Sequence, residues 1–262
     1  MPLPFTPELA AEYEQLFKNA VINPKSYPEV DKLVDKIVAY KSTYEEVGQP
    51  LNIPWYFIGV IHCMEGGLNF KTHLHNGDPL TARTVQVPAG RPVAGDPPFT
   101  WKDSASDALV YEKFDKKKDW SLAGMLYNLE CYNGIGYRSK KINSPYLWSY
   151  SSNYTMGKYG SDGQYDPQLV SKQCGGAVLL RRMFERQIVP NEEIDLNTQI
   201  KTLGETVKYN MGSVVADNAL QLQKLLNAAG RVIRVDGLSG KNTSEAYFAV
   251  TGKYLNGDPR RV

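Results

Sequence analysis

The feature that constrains this fold most is the apolar run Ile53-Pro54-Trp55-Tyr56-Phe57-Ile58-Gly59-Val60-Ile61-His62-Cys63, closed by Met64-Glu65-Gly66-Gly67. It reads as a mostly buried helix that ends on one carboxylate. The glycines break the helix and are expected to leave space for a ligand beside Glu65. Burial raises the pKa of such a carboxyl, so that it holds a proton near neutrality and can protonate a leaving oxygen. The alternative is an exposed, solvated glutamate at a helix end. Against it, a negative charge in the last helical turn opposes the macrodipole and needs another reason to be there.

The chain has 262 residues, 42% hydrophobic and 22% charged, enough for one large core or one core plus a small appendage. No stretch approaches the roughly 18 consecutive apolar residues needed to span a bilayer, so membrane insertion is not expected. Residues 1–17 lack the basic start and apolar run of a secretory signal. Synthesis without a signal is the expectation, with any action outside the cell depending on release. Cys63, Cys131 and Cys174 are too scattered for a disulfide framework or a zinc site and read as core thiols. The net charge of +2 hides an asymmetry: residues 198–262 hold nine Lys/Arg against five Asp/Glu, and residues 1–197 hold 21 against 23. A basic tail without a basic helix or arginine stripe suits an anionic polymer better than duplex DNA, so nucleic acid is not an expected partner.

Apolar spacing predicts helices at about 7–20, 29–47, 53–66, 104–114, 121–132, 167–187, 214–229 and 243–251, hence a mainly α fold. Pro7, Pro28, Ser121 and Asp166-Pro167 are the start signals. Between Gly66 and Trp101 the composition turns to Gly, Pro, Asn and Thr around Thr84-Val85-Gln86-Val87, which predicts a long loop or small hairpin. Loops of this length are usually functional. From Asn133 to Asp166, tyrosines including Tyr137, Tyr146, Tyr150, Tyr154, Tyr159 and Tyr165 stand among Gly, Ser and Asn. Aromatic faces with amide and hydroxyl neighbours suit sugars, so a groove wall is expected; the alternative is that each tyrosine only packs the loop. Weak periodicity predicts a junction at 196–212, dividing residues 1–195 from a small domain at 213–262.

The tail carries Leu220-Gln221-Leu222-Gln223-Lys224-Leu225-Leu226-Asn227-Ala228-Ala229-Gly230, Val235-Asp236-Gly237-Leu238-Ser239-Gly240 and Thr243-Ser244-Glu245-Ala246. This resembles the small three-helix peptidoglycan-binding domain of many cell-wall hydrolases, although a short basic ending replaces the usual aromatic finish. Over roughly residues 50–187 the front resembles the lysozyme-like superfamily, including lytic transglycosylases and phage endolysins. Two local matches carry that resemblance: the helix ending in Glu65, and Glu130-Cys131-Tyr132-Asn133-Gly134-Ile135-Gly136-Tyr137. It implies a muramidase-type glycosidase acting on peptidoglycan or a related β-1,4 N-acetylhexosamine polymer at the bacterial wall. Release would be by a holin, a secretion apparatus or lysis. It also implies Tyr132 and Asn133 as substrate contacts, to which the aromatic reading adds Tyr137, Trp101 and Tyr146. A monomer without a cofactor is expected.

Cleaving the glycosidic bond by hydrolysis usually needs a second carboxylate. Asp78 in His75-Asn76-Gly77-Asp78-Pro79-Leu80-Thr81 is the first candidate, with Thr81 completing a Glu, Asp, Thr set like that of phage endolysins; Thr84 competes with Thr81. Asn-Gly-Asp-Pro is also a common turn, and the alternative is that Asp78 only shapes the loop. Asp96 and Asp103 are fallback carboxylates and Glu130 a fallback acid. Without a second group, the transglycosylase route remains, in which Glu65 acts alone and the sugar's 6-hydroxyl closes an anhydro ring. His62, His73 and His75 lack a zinc signature, and no Gly-rich phosphate loop, Gly-x-Ser-x-Gly elbow or Cys-His pattern is present.

Overall fold

The computed structural model describes residues 3–160, 163–189, 196–210, 212 and 214–261. Among these the chain is mainly α, with twelve α-helices and one two-stranded sheet. The first helix, α1 (Pro7–Asn19), starts where Thr6 Oγ1 accepts the Leu9 N–H at 3.3 Å, and buries Leu9, Tyr13 and Phe17. The single helix expected at 29–47 is two, α2 (Tyr27–Ala39) and α3 (Lys41–Gly48), broken at Tyr40 where φ is −108° and ψ is 18°. The break lets both halves wrap the next helix. Ile37 and Tyr44 close onto Gly59 from either side: a Cβ there would stand 2.4 Å from Ile37 Cγ2 and 3.3 Å from the Tyr44 ring.

That next helix, α4 (Trp55–Gly66), is the centre of the fold, with every residue from Phe57 to Met64 buried. Apolar all round, it has no face to offer water, and α2, α3 and α9 enclose it. Burying each of Phe57, Ile58, Val60 and Ile61 contributes on the order of 1.5–3 kcal/mol. Gly67 ends the helix in the left-handed region (φ 55°), and its N–H bonds back to His62 O.

Four more helices follow: α5 (Trp101–Tyr111), α6 (Leu122–Asn133), and the short α7 (Gly136–Ser139) and α8 (Pro145–Trp148). The capping expected of Ser121 is present, its Oγ accepting the Gly124 N–H at 3.1 Å. The strands β1 (Lys158–Tyr159) and β2 (Tyr165–Asp166) pair antiparallel, Tyr159 opposite Tyr165. A hairpin at 84–87 does not form: Val85 and Val87 are 80% and 89% exposed and find no core to cover them. Thr84 instead closes a loop, bonding through its N–H to Arg91 O at 2.8 Å and accepting the Arg91 N–H on Oγ1 at 2.9 Å.

The long helix expected at 167–187 shortens to α9 (Gly176–Glu185), with Asp166 in β2. Gly175 sets its start, because the backbone passes so close to Leu147 that a Cβ would fall 2.2 Å from that carbonyl oxygen. Buried Arg182 of α9 grips Asp31 of α2 at 2.7 and 2.9 Å, fixing one wall around α4. Cys63 and Cys174 are buried thiols, as expected, and Cys131 is half-buried.

The last three helices, α10 (Leu196–Gly204), α11 (Asp217–Ala228) and α12 (Lys241–Thr251), pack on one another. This corrects the junction expected at 196–212, which opens with α10; residues 190–195 lie outside the described residues. Ile200 and Leu203 are wholly buried, and Gly204 admits the Tyr247 ring, which a Cβ would meet at 2.1 Å. The weak periodicity of α10 hid a helix that meets the core through Ile200 and Leu203. Gly204→Ala is expected to cost about 1–3 kcal/mol by overpacking, measured by chemical denaturation, with the loss confined to the unfolding of these three helices. No helix among the described residues is long and apolar enough to cross a membrane.

Candidate active site at the end of the central helix

Glu65 emerges from the core on the last turn of α4, exposed after the buried run that precedes it. Its Oε1 accepts a 2.6 Å hydrogen bond from Tyr146 Oη, presented by α8. Pro145 at the first turn of α8 and the buried Leu147 and Trp148 hold that tyrosine in place. The far side of the helix end is secured by Gln173, whose Nε2 donates to Met64 O at 2.6 Å and satisfies one of the carbonyls a helix end leaves open. The Glu65 carboxyl is thus open to solvent on one side and crowded by protein on the other.

That crowding pushes its pKa up, the Tyr146 hydrogen bond to the carboxylate pulls it down, and the charge of Glu112 pushes it up again. Glu112 caps the C-terminus of α5, and burial raises its own pKa. After it Lys113 turns through φ 61°, so that Phe114 enters the core and stacks on Tyr132 of α6, the rings 5.9 Å apart and 21° from parallel. The Tyr132 phenol is raised by burial and then by the charges of Glu65 and Glu112. Tyr146 is likewise raised well above the usual range, chiefly by burial and then by Glu65. Two carboxylates and two phenols therefore share one neighbourhood. Burial is the chief cause of the upward shift for both carboxylates, which favours the protonated form of each.

Glu112 was not among the candidate residues, yet the signal that marked Glu65 marks it too: a carboxylate at a helix C-terminus, against the macrodipole. Of the expected contacts, Tyr132 and Tyr146 flank Glu65, and Asn133 lies exposed at the end of α6. Trp101, expected as a groove residue, is instead 5% exposed, packed 4.5 Å from the His62 ring and 4.8 Å from Phe70. As the first residue of α5 its side chain drops inward against α3 and α4. Tyr137 is also buried; its ring meets Tyr159 at 5.2 Å and its hydroxyl accepts the Tyr159 N–H. Tyr150 and Tyr154 bond to the carbonyls of Lys172 and Gly157. Most of the tyrosine-rich stretch stitches its own loop, and Tyr146 is the member seen to reach Glu65.

Gly66 makes room for His62 rather than for a ligand, since a Cβ there would meet the imidazole Cδ2 at 2.9 Å. His62 is wholly buried, its Nδ1 3.0 Å from Tyr44 Oη, and burial brings its pKa down to about 4. His73 bridges Ser104 Oγ (2.7 Å) and Ala82 O (2.8 Å). His75 sits 2.7 Å from Asp107, which also pairs with Arg91 at 2.8 Å. Together these contacts pin the long loop to α5. Among the described residues no group of three His, Cys, Asp or Glu could hold a metal ion.

Asp78 belongs to the same scaffolding. Its Oδ2 accepts the N–H groups of Val85 (2.8 Å) and Gln86 (3.1 Å) and Asn76 Nδ2 (3.0 Å), and these hydrogen bonds hold its pKa below the usual range. That is the loop-forming alternative for Asp78, spelled out bond by bond. Thr81 is exposed on the same loop. Asp103 accepts from Thr100 at 2.6 Å at the start of α5, and Asp96 is 98% exposed beside Arg83. Glu130 is buried, and its Oε2 accepts from Tyr13 and from Arg138, whose Nη2 and Nε stand 2.7 and 2.9 Å away. It ties α1, α6 and α7 together. Asp78→Asn leaves one oxygen to accept these three bonds but removes the charge that strengthens them. Its expected result is a lowered melting temperature, which thermal melts of the two proteins measure.

No family model, curated protein or solved structure matches this chain.

Proposed function

We propose that the chain is a peptidoglycan-cleaving glycosidase of lysozyme-like type, with Glu65 as general acid on the β-1,4 bond between N-acetylmuramic acid and N-acetylglucosamine. The observation that carries this is the crowded Glu65 carboxyl at the mouth of a buried helix, hydrogen-bonded to Tyr146 and raised by Glu112. Protonated Glu65 donates to the leaving oxygen; Tyr146 orients the carboxyl and steadies the carboxylate left behind. Glu112, ionised, takes the role of the second carboxylate that activates water or stabilises the oxocarbenium-like transition state. Asp78, whose oxygen is already taken by the loop, is not given that role. Tyr132 offers an aromatic edge for a sugar face. A polymer substrate calls for an open cleft, consistent with an acid exposed at the surface.

The three C-terminal helices are proposed as the wall-binding module. The packing of α10 on Tyr247 sets its boundary: a fragment of residues 196–262 is expected to sediment with purified sacculi without clearing them. One starting at 205 loses buried Ile200 and Leu203 and is expected to fail by circular dichroism first.

The transglycosylase reading keeps one supporting observation, the engagement of Asp78 in the loop. Turbidity loss of purified walls tests the activity, and mass spectra of the soluble fragments separate the two outcomes. Reducing muramic ends support hydrolysis, anhydro ends transglycosylation, and walls left intact overturn both.

A further inference from the structure

Away from Glu65, a crevice of about 480 Å³ opens where the front of the molecule meets the C-terminal helices. The end of α1 contributes Lys18 and Asn19, α10 contributes Lys201 and the turn after it Glu205, and Tyr247 and Lys253 come from α12 and the stretch after it. The two parts touch here, where Thr202 Oγ1 lies 3.4 Å from Lys18 O. All three lysines are exposed, and among the described residues none of them pairs with a carboxylate. Glu205, the one acidic side chain lining the crevice, is held by Arg261 at 2.9 Å. Its charge is therefore already answered, and among the described residues the crevice presents three lysines without a carboxylate partner. The volume is in the range of ligand sites.

Three ammonium groups on separate elements, without an arginine fork, act as point charges and favour a ligand with several separated anions over one bidentate group. We propose that this crevice binds the free carboxylates of the peptide strands in peptidoglycan, anchoring the polymer across the joint between the two parts of the chain. The proposal rests on the wall-degrading reading and adds a basis for specificity. Chitin shares the glycan backbone but carries no such carboxylates, so the lysines separate two polymers that the acid alone treats alike.

The test uses the full chain carrying Glu65→Gln, so that the polymer survives, and measures sedimentation with purified sacculi. Parallel samples have their carboxylates converted to amides. Adding Lys18→Gln, Lys201→Gln and Lys253→Gln together is expected to weaken binding about tenfold or more, the scale of three exposed ion pairs. Amidation is expected to weaken the parent to a similar degree and the triple variant hardly at all. Lys25→Gln, Lys32→Gln and Lys118→Gln, an equal charge change elsewhere on the surface, is expected to leave binding near that of the parent. Equal losses in the two triple variants overturn the site, because they reveal a net-charge effect only. Amidation that weakens the triple variant as much as the parent overturns it as well. Poly-glutamate in place of sacculi locates a failure: lysine-dependent binding to poly-glutamate by a chain that ignores sacculi overturns the wall ligand through the proposed function, whereas binding to sacculi that ignores the lysines overturns this site alone.

Discussion

Glu65→Gln is expected to lower wall-clearing activity by at least about a hundredfold, the scale of losing general acid catalysis. Glutamine keeps the side-chain shape and can still accept the Tyr146 hydrogen bond through its carbonyl, but it has no proton to give to the leaving oxygen. Because glutamine has the same size and Glu65 lies exposed at the end of α4 rather than inside it, the melting temperature is expected to stay near that of the wild type. Turbidity assays on purified walls, paired with thermal melts, separate lost chemistry from lost fold. Activity near wild type in a folded Glu65→Gln chain removes Glu65 from the mechanism. It would not restore Glu130 as the acid, given the grip of Tyr13 and Arg138 on that side chain.

The parts of this molecule legible in the sequence are those where local pattern and tertiary environment agree. The run from Phe57 to Met64 is apolar on all sides, and only a central helix could use it; the residues around it had no alternative partner. The break at Tyr40 was not legible, because the apolar stripe continues through it. The bend comes from the closeness with which α4 accepts its neighbours at Gly59. The late start of α9 has a similar origin, since Gly175 meets a carbonyl 28 residues earlier in the chain that no local window contains. Side-chain roles in the loop were harder still. Asp78 and Trp101 are residue types that suit catalysis and sugar binding, and they were placed there by type; the structure spends one on backbone N–H groups and the other on the core. Glu112 lies 47 positions from Glu65, and its relevance comes from Phe114 anchoring the end of α5 beside Tyr132.

The relation between Glu65 and its two neighbours yields the sharpest expectation, because the neighbours act on its proton in opposite directions. A general acid must be protonated, so activity falls as pH rises through its pKa, and that alkaline limb reports Glu65. The charge of Glu112 raises the Glu65 pKa. Glu112→Gln is therefore expected to move the limb to lower pH, and, if Glu112 is the second carboxylate, to reduce the maximal rate by about a hundredfold as well. The Tyr146 hydrogen bond stabilises the carboxylate and lowers the pKa. Tyr146→Phe is expected to move the limb to higher pH, with a smaller loss at the optimum because the acid itself is retained. Full pH profiles of initial clearing rates for the three proteins measure both shifts. Opposite displacements of the limb place Glu65, Glu112 and Tyr146 in one electrostatic unit. Displacement in the same direction, or none, separates Glu112 from the acid. A Glu112→Gln chain that shifts its limb downward yet keeps its maximal rate retains the electrostatic coupling but loses the second carboxylate, and the one-acid transglycosylase route with its anhydro products then follows.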